Sequence, residues 1–81
     1  MNRTQQIAGV ILNVLADWSE PADEAVIHSA VNARVMPVAL TSEFQDAMNL
    51  CEQMRWITGV RNPLRGTRWA ITDAGRAQRH S

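Results

Sequence analysis

The stretch from Ala47 to Arg76, AMNLCEQMRWITGVRNPLRGTRWAITDAGR, changes its hydrophobic period partway along, and that change decides how the chain is read. Up to Met54 the apolar residues recur at helical spacing. Phe44, Ala47, Met48, Leu50, Cys51 and Met54 fall within about 160° of a helical wheel, and this is the core stripe of an amphipathic helix. Gln45, Asp46, Asn49, Glu52 and Gln53 take the opposite face. From Trp56 the pattern becomes β-like: Trp56 to Arg61 and Thr67 to Thr72 are rich in β-branched and aromatic residues. They flank Asn62-Pro63-Leu64-Arg65-Gly66, which reads as the loop of a hairpin. Thr72-Asp73 opens a last short helix, weakened by Gly75, and residues 78–81 are expected to fray.

Toward the N-terminus, two more helices are expected. Ile7, Val10, Ile11, Val14, Leu15 and Trp18 repeat at i, i+3, i+4 and i+7, which predicts a helix over Thr4 to Trp18, capped by Asn2 or Thr4. Ser19-Glu20-Pro21 ends that helix and opens the next. Proline suits an early helical position, and Asp23 and Glu24 suit the positive end of the helix dipole. Val26, Ile27, Ala30 and Val31 are its expected buried stripe. It should stop near Arg34, because Met36 precedes Pro37 and the residue before proline avoids helical geometry. Val35 to Leu40 is then an apolar connection, and Thr41 or Ser42 is the expected cap of the third helix.

The order of elements, three helices followed by a two-stranded hairpin, makes a mainly α, α+β fold in one domain spanning residues 1–81. It resembles the winged helix-turn-helix family. The resemblance is sharpest in AMNLCEQMRWITGV, the short charged loop and GTRWAITDAGR, which look like the third helix, strand, wing and return strand of many bacterial winged-helix domains. The return strand there ends in a Thr-x-x-Gly-[Arg/Lys] signature, matched by Thr72 to Arg76. Many relatives carry glycine just before the first hairpin strand, where Met54-Arg55 stand here. The small size resembles phage or mobile-element accessory proteins, and no subfamily emerges.

The resemblance implies double-stranded DNA as the partner. Carried over by position, Arg61, Asn62, Arg65 and Arg68 would be the wing contacts, with Arg55, Arg76 and Arg79 adding to a basic patch. Gln45, Asn49 and Gln53 would present amides to base edges, and such amides pair well with adenine. Charge supports the wing more than the helix. Net charge is zero, but residues 1–53 hold two arginines against seven carboxylates, and residues 54–81 hold six arginines against one. Affinity for DNA rests largely on cations that neutralise phosphates, and the third helix carries Asp46 and Glu52 on its outward face. Acidity of that face suits a basic protein partner equally, so an interaction module without DNA binding stays open. A homodimer stays open too. Trp56 and Trp69 on the hairpin would suit base stacking, but packing is the ordinary role of such residues. Leu64 at the loop tip is an apolar residue in an exposed place.

Catalysis finds little support. His28 and His80 stand apart from any Cys or carboxylate at metal-ligand spacing, and His28 is expected on the surface of the second helix. Cys51 falls on the buried face of the third helix, as packing, and with one cysteine no internal disulfide can form. Ser29 and Ser42 have no recognisable base, and no glycine-rich phosphate loop is present. The expectation is a non-enzyme with no cofactor or metal. The longest apolar stretch, Ile7 to Ala16, is too short to cross a bilayer and has no signal-peptide cleavage pattern, so a soluble cytoplasmic protein is expected.

Overall fold

A computed structural model describes residues 2–18, 20–64 and 66–79. In chain order the elements are α1 (Arg3–Ala16), β1 (Ala22–Asp23), α2 (Glu24–Asn32), α3 (Thr41–Gln53), β2 (Ile57–Asn62), β3 (Gly66–Ile71) and α4 (Asp73–Arg79). The fold is therefore α+β, with four helices and a three-stranded antiparallel sheet in the order β1-β3-β2.

The third strand corrects the expectation of a two-stranded hairpin. Ala22 and Asp23 do not begin a helix after Pro21; they are extended and pair with Trp69 and Arg68 of β3. The residues that looked like a helix start are split between two tasks. Asp23, with φ −68° and ψ 151°, is the last extended residue before α2, and Glu24 supplies the acid of the first turn. A two-residue strand carries no periodicity of its own.

One core joins the helices to the sheet. Ile7, Ile11, Leu12 and Leu15 of α1 meet Ile27 and Val31 of α2, Phe44, Met48 and Cys51 of α3, and Ile57 of β2. Fully burying a side chain of this size stabilises by roughly 1.5–3 kcal/mol relative to exposure, and this cluster is the main source of stability. The expected stripes hold with two exceptions. Val26 and Met54 are both half-exposed, Val26 because it sits at the margin of the apolar arc of α2 and Met54 because it is the C-cap, past the last turn of α3.

The connection from α2 to α3 is tied down by side chains. The Ala39 amide donates to Asn32 Oδ1 (2.9 Å), and the Ala39 carbonyl accepts from His28 Nε2 (2.9 Å). The His28 ring stacks on Phe44 with centroids 4.3 Å apart and 5° between planes. His28 is thus a half-buried strut and not the surface residue expected. Arg3 reaches from α1 to the carbonyls of Pro37 and Val38 and to the Glu43 carboxylate. The N-cap of α3 is Leu40 and not Thr41 or Ser42: Leu40's carbonyl accepts from Phe44 N (2.9 Å), and its amide donates to Glu43 Oε1 (3.0 Å). A leucine can hold the cap position because the glutamate three residues on supplies the capping oxygen.

The exit from α3 answers the missing glycine. Trp56 N donates to Cys51 O (2.9 Å) and Arg55 N to Glu52 O (3.0 Å). These are the two bonds of a Schellman motif, which needs a left-handed residue at Arg55. Arg55 has φ +62°. The turn is the one a glycine would make, built with an arginine.

The signature at β3's end also gains a physical account. Thr72 Oγ1 donates toward the carbonyl oxygens of Arg55 (2.6 Å) and Trp56 (3.0 Å) and accepts from Gly75 N (3.1 Å). One hydroxyl therefore caps α4 and fastens it to the α3–β2 turn. Gly75 is buried, and a Cβ there would lie 2.2 Å from the Trp56 carbonyl oxygen. Its hydrogen is what allows α4 to sit against that turn. The glycine read as weakening the helix is the residue that docks it, and α4 runs to Arg79 through part of the segment expected to fray. Residues 80 and 81, His80 included, lie outside the described residues.

Candidate nucleic-acid interface

The hairpin is six residues on each side, with Asn62 paired to Gly66. The loop is therefore shorter than the five residues expected. Asn62 Oδ1 accepts from Leu64 N (2.9 Å), and Gly66 at φ +78° turns the chain back. Asn62's side-chain oxygen thus shapes the turn. Every residue of β2 beyond Ile57 is exposed, and Leu64 at the tip is 95% exposed. The outer half of the hairpin stands clear of the core.

The two described arginines of the hairpin, Arg61 and Arg68, do not form one patch. Arg61 pairs across the sheet with Thr67, and Arg68 with Val60, so the two arginines project from opposite faces. Arg61 is exposed, and among the described residues no carboxylate pairs with it. Arg68 is half-buried and lies beside Asp23, its cross-strand neighbour, with Nε 3.4 Å from Oδ1. That nitrogen is shielded from solvent without an aligned hydrogen bond, so the contact is electrostatic. Exposed pairs of this kind contribute at most about 1 kcal/mol, but the pairing partly neutralises Arg68 as a phosphate ligand. Arg65 lies outside the described residues.

The three amides of α3 also separate. Asn49 and Gln53 are exposed, four residues apart on one face, with Ser42 and Asp46 beside them. Gln45 is half-buried and donates through Nε2 to Glu24 Oε2 (2.9 Å), which engages it in joining α3 to α2. Its position on the wheel lies toward α2, a neighbour that no spacing rule along α3 reveals. Asp46 and Glu52 are exposed as expected. The tryptophans do not form a stacking platform. Trp69 lies across Gly59, where a Cβ would meet its ring at 3.3 Å, and it packs on the core. Trp56 precedes β2 and packs on the core at its other end.

Sequence reading missed the α2–α3 connection as a surface. Val35 and Ala39 are buried, while Met36 (86%), Val38 and Leu40 (64%) are exposed. The sequence carried no signal for this: all six residues from Val35 to Leu40 are apolar or proline, and burial cannot be told apart within such a run.

Two further groups have defined chemistry. Glu43's carboxyl sits below its ordinary value of 4.5; the Leu40 amide is the largest cause, opposed by desolvation and assisted by Arg3. Burial pushes the Cys51 thiol up to about 12, which makes it unreactive as a nucleophile at neutral pH. Among the described residues no cluster of three or more His, Cys, Asp or Glu is placed to hold a metal ion, and no helix is long and apolar enough to cross a membrane. Compared with known proteins, the chain matches no family model, no curated protein and no solved structure.

Proposed function

We propose that the chain is a small winged-helix protein that binds double-stranded DNA in a regulatory role, with the β2–β3 hairpin as its wing. The observation that carries this reading is an exposed hairpin held at a fixed place beside the helices. β1, which leads into α2, pairs with β3, so the hairpin is anchored to the α2–α3 unit as well as to its own turn. Arg61 at its outer half is the leading phosphate contact, and Arg65 belongs to the same loop in sequence. Asn49 and Gln53 are the residues of α3 suited to base edges. Asp46 and Glu52 oppose deep entry of α3 into a groove, so backbone contacts by the hairpin dominate.

The test is binding to mixed-sequence duplex DNA at about 50 mM and 200 mM salt, where loss of phosphate contacts reads as a flatter salt dependence. Arg61→Ala should weaken binding at low salt and flatten that dependence. Unchanged affinity in an Arg61→Ala/Arg65→Ala/Arg68→Ala variant would sink the reading.

A second reading rests on a specific observation. The exposed Met36, Val38 and Leu40 stand on a connection held by Arg3, His28 and Asn32, and such a pre-ordered apolar surface suits a protein partner. If no DNA is bound even at low salt, this interaction role takes precedence.

A further inference from the structure

Among the described residues nothing in the fold requires a glycine at position 9. It lies in the middle of α1, where glycine is less stable than alanine. A Cβ built there meets nothing within 4 Å among those residues. Neither a tight turn nor a close approach between them requires it, in contrast to Gly75. A helix-interior glycine with open space before it points to something that approaches α1 from outside.

The surroundings agree. From Thr4 to Ala16 the helix carries no charged residue, and Arg3 is engaged inward. Its exposed residues Gln5, Gln6, Gly9 and Asn13 are all uncharged, whereas α3 shows Asp46 and Glu52 to solvent. Depletion of charge marks the centre of protein interfaces. Beside these residues runs a groove of about 550 Å3, lined by Leu12, Leu50 and Trp56, with the half-exposed Met54 on one edge and Arg79 of α4 as the one cation at its Asn13 end.

We propose that α1 is the homodimer contact of this protein, two copies crossing antiparallel at Gly9. The face is self-complementary about that residue. Gln5 and Asn13 lie four positions to either side, so in an antiparallel crossing Gln5 of one copy meets Asn13 of the partner subunit, twice. Arg79 Nε donates to Asn13 Oδ1 (3.0 Å), which uses the amide's oxygen and leaves its NH2 as the group that would donate to the opposing glutamine. A glycine at the axis lets the two backbones approach closely. The fourteen residues of α1 run about 21 Å, long enough to seat a crossing helix with Met54 beside it.

The test uses the full chain without DNA, so its outcome is independent of the DNA-binding reading. Sedimentation equilibrium across the micromolar to millimolar range should show the mass rising from 9.0 kDa to twice that value. Gly9→Glu puts like charges at the axis in a site with room for the side chain. It should remain helical and monomeric throughout. Gly9→Cys should cross-link to itself under mild oxidation, whereas wild type, whose Cys51 is buried, should not. A mass fixed at 9.0 kDa in wild type, a Gly9→Glu protein that dimerises as well as wild type, or a dimeric Gly9→Cys that fails to cross-link would each overturn the proposal.

Discussion

Arg55 occupies a backbone conformation that disfavours any side chain with a Cβ, by about 1–2 kcal/mol. Part of that is offset because glycine would lose more freedom on folding. Arg55→Gly should therefore raise stability by roughly 0.5–1 kcal/mol in urea unfolding. A lower midpoint would mean that the guanidinium has a stabilising contact of its own. Thr72 and Gly75 carry larger effects. Thr72→Ala removes a cap and the tie between α4 and the α3–β2 turn, and should cost about 1–2 kcal/mol. Gly75→Ala drives a methyl into the Trp56 carbonyl and should cost about 3 kcal/mol, the larger of the two. Equal midpoints for Gly75→Ala and wild type would show that α4 does not dock as described. Glu43 makes stability depend on acid. Its folded value is depressed, so its contribution is present above the ordinary 4.5 and is lost as pH falls through the folded value. Glu43→Gln should be less stable than wild type at neutral pH, and the difference should shrink as pH falls through the folded value.

At the scale of elements, α1, α3 and the hairpin were legible because each carries its own period over enough residues to declare it. Ile7, Ile11 and Leu15 could only be a helix face, and the switch at Trp56 could only begin a strand. β1 was not legible, since Ala22 and Asp23 become a strand solely through their partners Trp69 and Arg68, some forty-five positions away. The same limit applied to the candidate site. Asn49 and Gln53 were placed correctly on the open face of α3, but Gln45 was lost to Glu24, and Arg68 to Asp23, through contacts between distant segments. The Thr72 signature was legible as a resemblance, and its cause became visible only with the Trp56 carbonyl beside it. A prediction follows for the hairpin as an element. Because Asp23 pairs with Arg68 across β1 and β3, Arg68→Ala should lower stability by up to about 1 kcal/mol and change DNA affinity less than Arg61→Ala does. The reverse order in a binding titration would place the DNA on the β1 side of the sheet.

For the molecule as a whole, the uneven charge of the sequence does not become two separate poles. Acidic and basic halves meet at Arg68 and Asp23, and Arg3 meets Glu43 within the acidic half. What remains for a polyanion is a few outward arginines on a neutral body, which predicts weak, strongly salt-dependent association by a single copy. The sheet has a further consequence, in the order of synthesis. Its central strand, β3, is made after both of its neighbours. While the chain is being translated, β1 and β2 wait without partners, and α1, α2 and α3 have only each other. The sheet and the position of the hairpin come into being together, once residues 66–71 have left the ribosome, and Thr72 then completes the seat for α4.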